Sequence, residues 1–386
     1  MSACPPSFLG ELFRVSSDPR IISFAGGLPD GSLIDVEGIR DAAYQVLQEH
    51  GREALQYSTT DGYLPLREWI AARYRSRLGI DASPDAIQIV NGSQQCLDLV
   101  AKILLNPGDP VGIESPGYLG AIEAFSLYEP SFHSFPVVPS GPDHDTLGRL
   151  VRRFRPPFIY GIPNSQNPSG ITWTKDQRQM VADLLDGSCT LFYEDDAFGE
   201  LFFDHKPRPP VCRFLPHQTL MSGSFSKIIS PGLRTGWIFA PQKVLEAFNV
   251  VKQAADLHSN LLSQMVLHRY LTTVDLDRNL AGIVCRYEAN CRLMCDLLDD
   301  MGKDGIPHTT PEGGMFMMAF LPGKVPSMEL YKKGLDCGVA VLPGVPFHAD
   351  NGGSDSIRLN FSNTDERRIQ EGMTRLKQAL ETFHVW

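Results

Sequence analysis

Ser222-Gly-Ser-Phe-Ser-Lys-Ile-Ile-Ser-Pro-Gly-Leu-Arg-Thr-Gly-Trp237 sets one lysine, Lys227, among the small hydroxyl residues Ser222, Ser224, Ser226 and Ser230. Arg234 comes past Pro231-Gly232, and an apolar run over 237–240 reads as a strand leading away. An amine in such surroundings condenses with an aldehyde to a Schiff base once its pKa is lowered. Neutral hydroxyl donors and a planar, permanently charged guanidinium are what a phosphate monoester needs. Together they suggest pyridoxal 5'-phosphate, its aldehyde on Lys227 and its phosphate against Ser224, Ser226 and Arg234. A Ser/Gly-rich surface loop with a solvated lysine shows the same residue types, so the flanking chain has to decide.

Outward from this loop the chain alternates. Strand-like apolar runs stand at 86–90, 111–114, 132–137, 158–162, 189–194 and 219–221. Helical patterns at 96–105, up to 125, and at 146–154 and 175–185 lie between them. Over 85–240 this implies a mainly parallel sheet covered by helices on both faces. Ligands of such sheets bind beyond the carboxyl ends of the strands. The stretches that follow successive strands are Gly92-Ser-Gln94, Pro116-Gly-Tyr118, Pro163-Asn-Ser-Gln-Asn-Pro-Ser-Gly170, Asp195-Asp-Ala-Phe198 and the lysine loop itself. They bring anion donors, an aromatic face, an amide, a carboxylate and an amine to one edge, a convergence that outweighs any one of them.

The rest of the chain frames that unit. Residues 1–20 are Pro/Ser-rich and weakly patterned, an N-terminal arm. A short strand at 21–24 enters Ala25-Gly-Gly-Leu-Pro29, whose paired glycines allow backbone to approach a ligand closely. Helical patterns follow at 35–50 and 64–78, and long ones run over 243–301 with a break at 275–278. Strands at 315–320, 339–342 and 356–361 alternate with helices at 327–336 and 365–383. The reading is α/β, with a large domain over 51–270 and a smaller α+β domain made of 21–50 and 271–386.

Each candidate residue has a plainer alternative. Asp195, in Glu194-Asp195-Asp196 at a strand end, suits the pyridine nitrogen, whose protonated form a carboxylate favours; helix-capping acids are the alternative, and Asp196 points to the other side or caps the turn. Asn167, in a turn held by Pro168 and Gly170, suits the phenolic 3'-oxygen, although Asn-Pro is common in turns. Gly92-Ser93-Gln94 before a helix offers free N–H groups to an anion, or is a simple cap. Tyr118 stacks on a ring or fills a core. Tyr57 reaches a phosphate from a neighbouring subunit or is a buried loop tyrosine. Arg358, in the apolar strand Ser356-Ile-Arg-Leu-Asn-Phe361, needs a partner; a substrate α-carboxylate or an internal salt bridge would serve.

Composition closes off several classes. The 386 residues are 42% hydrophobic and 21% charged, as in globular proteins, and too many for one ordinary core. A net charge of -10 argues against nucleic acid or an anionic membrane as partner. No apolar run approaches a membrane span, and the first residues lack a secretion-signal pattern. Eight cysteines occur without CxxC pairs; Cys291 and Cys295, four apart on a helical pattern, speak for packing over metal, and the expected compartment is the reducing cytoplasm.

Ser23-Phe-Ala-Gly-Gly-Leu-Pro29, Leu55-Gln-Tyr-Ser-Thr-Thr-Asp-Gly62, Gly92-Ser-Gln-Gln95, Gln166-Asn-Pro-Ser-Gly170, Glu194-Asp-Asp196, Gly223-Ser-Phe-Ser-Lys227, Gly313-Gly-Met-Phe316 and Leu342-Pro-Gly344 form, in that order, a highly specific set. It resembles the fold-type-I pyridoxal-phosphate aminotransferases, in particular the 2-aminoadipate and kynurenine aminotransferase branch. The resemblance implies the family's seven-stranded type of sheet and a homodimer with the active site at the interface. It implies that Lys227 carries the Schiff base, that Asp195 faces the pyridine nitrogen and that Asn167 meets the 3'-oxygen. Ser93, Gln94, Ser224, Ser226 and Arg234 would hold the phosphate, Tyr118 would stack on the ring, and Tyr57 would enter from the partner subunit. Arg358 would bind the α-carboxylate, with Gly27 beside the substrate. The implied activity moves an α-amino group from an amino acid to a 2-oxo acid, 2-oxoglutarate or pyruvate, with no metal. β-Elimination, decarboxylation or α-oxidation on the same fold would share most of these residues. A regulator that joins this fold to a winged helix would carry extra basic N-terminal residues, whereas the catalytic region here starts almost at Met1.

Two positions depart from the family pattern. Phe198 stands where the family has a tyrosine bonded to the 3'-oxygen, and losing that donor raises the pKa of the Schiff base. Branch members that read an acidic side chain use an N-terminal arginine; residues 1–13 hold none and Arg14 is the first. An apolar, aromatic or other polar amino acid is therefore the expected donor.

Overall fold

The computed structural model describes residues 18–139, 141–350 and 352–384, together with Gly10 and Val15. Most of the arm expected over 1–20, Arg14 included, lies outside the described residues. Ahead of the main sheet lie a two-residue strand, β1 (Ile22–Ser23), and the helices α1 (Val36–Ala54) and α2 (Leu64–Arg73). The helical pattern of 64–78 ends in a π-turn over Tyr74–Leu78, closed by Gly79 in the left-handed region.

The apolar runs then build one sheet. Its strands are β2 (Ile87–Val90), β3 (Pro110–Ser115), β4 (Ser131–Val138), β5 (Gly141–Pro142), β6 (Phe158–Gly161), β7 (Leu191–Asp196), β8 (Thr219–Ser224) and β9 (Gly236–Phe239). Their order is β2-β9-β8-β7-β6-β3-β4-β5. β9 runs antiparallel to β2 and β8, and β3, β4, β6, β7 and β8 run parallel. The seven-stranded sheet thus carries an additional two-residue strand, β5, on its edge. From β3 the chain passes to β4 on one side and to β6, β7 and β8 on the other, which leaves a crevice at the reversal.

Between the strands run α3 (Ser93–Leu104), α4 (Leu119–Ser126), α5 (His144–Phe154) and α6 (Lys175–Leu185). They cover opposite faces, as the two-residue period of β6 requires. Phe158 and Tyr160 pack with Leu97, Val100 and Phe125 of α3 and α4, while Ile159 packs with Leu147, Leu150, Val181 and Leu185 of α5 and α6. Burial on both faces explains why these strands read as continuous apolar runs. Asp143 caps α5 by accepting from Thr146 N, and a reciprocal Thr174–Gln177 capping box opens α6.

The pattern of 243–301 folds as three helices, α7 (Gln242–Asp256), α8 (Leu261–Thr273) and α9 (Leu276–Asp299). The expected break is present, with Asp275 capping α9. A second, unforeseen break falls where Leu257 turns left-handed (φ 62°) and Asn260 caps α8. Leu257 and Leu261 keep the apolar period running through it, so only the Ser259-Asn260 cap signal marks it.

Three further strands, β10 (Phe316–Phe320), β12 (Leu342–Pro343) and β13 (Ser356–Asn360), make an antiparallel sheet in the order β10-β13-β12, and β11 (Val339–Ala340) pairs in parallel with β1. The run expected as one strand over 339–342 is therefore two, which serve different sheets. Helices α10 (Ser327–Asp336) and α11 (Glu366–Glu381) complete the chain. No described helix is long and apolar enough to cross a membrane.

Candidate active site

The site begins where β8 ends. Backbone pairing carries β7 and β8 past the apolar residues, to Asp196 and Ser224, with Asp195 opposite Ser222 and Ser224 opposite Gly236. Asp195 is therefore a strand residue with a fixed direction. Its Oδ2 accepts from the Tyr160 hydroxyl and its Oδ1 from Ser222 Oγ, both at 2.8 Å. Burial raises the Asp195 pKa, and the two hydroxyls oppose that rise. Alternation sends its neighbours the other way. Glu194 accepts from the backbone N–H groups of Val211 and Cys212 beside the buried Arg178, and Asp196 accepts from Asn164 Nδ2 at 2.7 Å. Burial lifts Glu194 to about 7 and Asp196 to about 6.

Lys227 follows on the loop and donates from Nζ to the Gly27 carbonyl at 2.7 Å. Burial, then the Arg358 and Arg234 guanidinium charges, lower its pKa to about 8. Arg358 arrives from the middle of β13, between Met318 and Leu342 on the adjacent strands. Its Nη1 donates to Asn167 Oδ1 at 2.8 Å and its Nη2 to the Ala25 carbonyl. The guanidinium stands 4.1 Å from the Phe316 ring centre and 5.2 Å from that of Phe347, and Nε has no hydrogen-bond partner among the described residues. Phe198 is buried edge-on to Phe316. Asn167 is held by a turn that needs glycine: Gly170 has φ 73°, and a Cβ there would meet the Phe316 carbonyl oxygen at 2.4 Å.

The anion-binding side forms where β2, β9 and β8 lie together, since Gly236 pairs with both Val90 and Ser224. The free N–H groups of α3 begin there at Ser93. Gly92 (φ 81°) leaves room for Arg234: a Cβ would come within 2.5 Å of Nη2, which donates to the Asn91 carbonyl at 3.2 Å. Ser224 and Ser226 are buried beside it, with Ser226 N donating to Ser224 Oγ. Gln94 donates to the Gly120 carbonyl and faces the half-buried Tyr118, whose hydroxyl reaches Gln94 Oε1 at 3.5 Å. Tyr57 stays apart from this cluster, 77% exposed and edge-on to His258.

Two supporting groups escaped the sequence reading. Tyr160 was one more aromatic in an apolar strand; its signal was a hydroxyl in a run too buried for water. Lys252 and Asp256 stand four apart within the helical pattern that begins at 243, a spacing that by itself shows no more than neighbours on one helix face. In the fold Lys252 is buried and bonds both Asp256 oxygens at 2.8 and 2.9 Å, while Asp256 accepts from Asn91 and Gln95 at the start of α3. Asp256→Ala is expected to cost about 3 kcal/mol in urea unfolding, because it strands a buried ammonium. Lys252→Met in that background should recover part of the loss; a loss under about 1 kcal/mol in the single variant would contradict this role.

Asp195 and Arg358 share one property. Each is a buried charged side chain with no ion pair of opposite charge among the described residues. The internal salt bridge weighed for Arg358 is not formed there. A buried anion and a buried cation without ion pairs, together with an amine of lowered pKa, suit charged guests.

The chain matches the family model of aminotransferases class I and II over residues 20–376 and belongs to that family. It is a pyridoxal 5'-phosphate-dependent amino-acid aminotransferase with the type I fold. It is 38% identical over 383 residues to the 2-aminoadipate transaminase of Thermus thermophilus, covering 97% of this chain and 94% of that protein. With aromatic-amino-acid aminotransferase 1 of Thermococcus litoralis it shares 34% identity, over 97% of this chain and 91% of the relative. The crystal structure of α-aminoadipate aminotransferase from Thermus thermophilus, complexed with N-(5'-phosphopyridoxyl)-L-leucine, matches with a TM-score of 0.92 at 36% identity, over 99% of this chain and 96% of that one. The residues present fit the cofactor: an amine for its aldehyde, a carboxylate without an ion pair among the described residues for its ring nitrogen, and N–H, hydroxyl and guanidinium donors for its phosphate.

Proposed function

We propose that this aminotransferase takes an amino acid with an apolar, aromatic or uncharged polar side chain as donor and 2-oxoglutarate or pyruvate as acceptor. The α-carboxylate of each would dock on Arg358. The observation that carries this reading is the buried Arg358 guanidinium, which has an unpartnered Nε and no ion pair among the described residues. The Phe316 and Phe347 rings lie 4.1 and 5.2 Å from that guanidinium, and Phe198 packs edge-on to Phe316, so its surroundings are apolar.

Bound pyridoxal 5'-phosphate supplies an aldehyde and an electron-withdrawing ring. Lys227 would hold the aldehyde and, once released by substrate, carry the proton to and from Cα in a ping-pong cycle. Asp195, fixed by Tyr160 and Ser222, would keep the ring nitrogen protonated. Asn167 would meet the 3'-oxygen while its Oδ1 orients Arg358, and Gly27 would flank the substrate. Ser93, Gln94, Ser224, Ser226 and Arg234 would bind the phosphate, with Tyr118 over the ring.

The same reading makes the protein a cytoplasmic homodimer in which Tyr57 of one copy completes the site of the other. Support comes from Tyr57 itself, which stands exposed beside the equally exposed Leu55. It also divides the chain into a large domain over 51–270 and a small one made of 21–50 and 271–386.

The test mixes holoenzyme with a panel of amino acids and follows the cofactor absorbance, then adds single 2-oxo acids to restore it. No change with any donor would count against the proposal. Arg358→Leu is expected to lower kcat/KM for the preferred donor roughly 10- to 100-fold, the worth of a hydrogen bond to a charged group; an unchanged value would remove Arg358 from the substrate site. Phe198 keeps a second reading open, since β-elimination, decarboxylation or α-oxidation would yield ammonia, carbon dioxide or peroxide in place of a new amino acid. Phe198→Tyr restores a donor to the 3'-oxygen and should lower the pH midpoint of cofactor absorbance by about one unit (about 1.4 kcal/mol). An unmoved midpoint would show that no such bond forms.

A further inference from the structure

Glu114, near the end of β3, is a buried acid outside the set around Lys227. Its Oε2 accepts from the backbone N–H of Ile162, just past β6, at 3.1 Å and from Gln166 Nε2 at 3.2 Å. The backbones of β3 and β6 pair at Gly112–Ile159 and Ile113–Tyr160, so the carboxyl ties the two strand ends together one step beyond their ladder.

Gln166 is buried as well and uses its whole amide. Nε2 also donates to the Pro116 carbonyl at 2.7 Å, and Oε1 accepts from Ser169 N at 2.8 Å and from Ser169 Oγ at 2.6 Å. Two hydrogens on nitrogen and two lone pairs on oxygen are all that a glutamine side chain offers, so its orientation is fixed. It joins the acid of β3, the turn that leads to Tyr118 and its own turn. Thr309 Oγ1 closes that turn from outside, donating to the Ser169 carbonyl at 2.6 Å. Asn167 is the next residue along, and Arg358 Nη1 donates to its Oδ1 at 2.8 Å.

A buried carboxyl with no ion pair among the described residues is costly unless it is neutral. Burial pushes the Glu114 pKa up to about 8, against the Gln166 and Ile162 donors, and the Asp195 charge adds to the rise. Its Oε1 has no hydrogen-bond partner among the described residues. At pH 7 the group is mostly a neutral acid whose Oε2 serves as an acceptor.

We propose that Glu114 and Gln166 are positioning residues of the transamination site, a buried pair that sets the direction of the Asn167 amide. The inference rests on the reading that Asn167 meets the 3'-oxygen. A donor to that oxygen favours the deprotonated form of the absorbing group, so a slackened Asn167 raises the pH midpoint of cofactor absorbance.

Glu114→Ala, Glu114→Gln and Asn167→Ala, compared in two measurements, test this. In the holoenzyme the midpoint should rise by about half a unit or more in Glu114→Ala, part of the roughly one to two units that a hydrogen bond to a charged group carries. Glu114→Gln keeps an acceptor and should return the midpoint to the wild-type value. In the apoprotein, amide hydrogen exchange over 166–171 should quicken about tenfold in Glu114→Ala and stay slow in Glu114→Gln. Loss of packing alone would lower the melting temperature and leave the midpoint in place. A midpoint that moves in Asn167→Ala but not in Glu114→Ala overturns this proposal and leaves the reading of Asn167 standing; a midpoint unmoved in both overturns the two together. Unchanged exchange in Glu114→Ala, or equal displacement in both Glu114 variants, also overturns it. If Glu114→Ala does not fold, Ser169→Ala, which takes one donor from Gln166 Oε1, should raise the midpoint in the same direction, and no rise there overturns the proposal.

Discussion

Replacing Lys227 by alanine is expected to lower transamination turnover by at least about 10⁴-fold, the upper range for removal of a positioned proton-transfer group. Cofactor retention should fall far less, because the donors proposed for the phosphate, Ser93, Ser224, Ser226 and Arg234, stay in place. Borohydride treatment should fix the cofactor covalently to the wild type and not to the variant. The same amine predicts a pH dependence. Its pKa is lowered to about 8 by burial and by the Arg358 and Arg234 charges, and only its neutral form attacks an aldehyde. Capture of pyridoxal 5'-phosphate by apoprotein should therefore rise about tenfold per pH unit below 8 and level off above it. Turnover within tenfold of wild type in the alanine variant would mean that another base carries the proton.

Asp195→Asn should be the second most damaging change, with kcat lower by about 10²–10⁴-fold. Breaking a buried charge pair costs about 3–5 kcal/mol, and the partner proposed here is the protonated ring nitrogen. The amide keeps the shape of the acid, and its oxygen still accepts from a hydroxyl, so the fold should survive with little loss in melting temperature. Steady-state kinetics and thermal unfolding on one preparation separate the two readings. A large fall in stability with a small fall in kcat would make Asp195 a structural acid in a hydroxyl network.

Much of this architecture was legible in the residues. The strand–helix alternation over 85–240 was readable because strands buried on both faces must be apolar throughout, and α5 and α6 declare their starts with Asp143 and Thr174. The break before α8 was not, since Leu257 and Leu261 preserve the helical period across it. The ends of β7 and β8 were missed for a related reason. Pairing between Asp195 and Ser222, and between Ser224 and Gly236, is a property of two strands together. The burial of Arg178 and Lys252 was not legible either, since it depends on which other segments lie over them.

By itself the sequence determined the class of chemistry. A lysine among serines, an acid at a strand end, an Asn-Pro turn and an arginine in an apolar strand are each defined by residue type and local spacing. Tertiary structure alone decided what those groups are to one another: that Tyr160 and Ser222 hold both oxygens of Asp195, and that Asn167 turns its amide oxygen to Arg358. The physical reason is that hydrogen bonds and charge interactions act over a few ångströms in space, whereas these partners stand up to 191 residues apart along the chain.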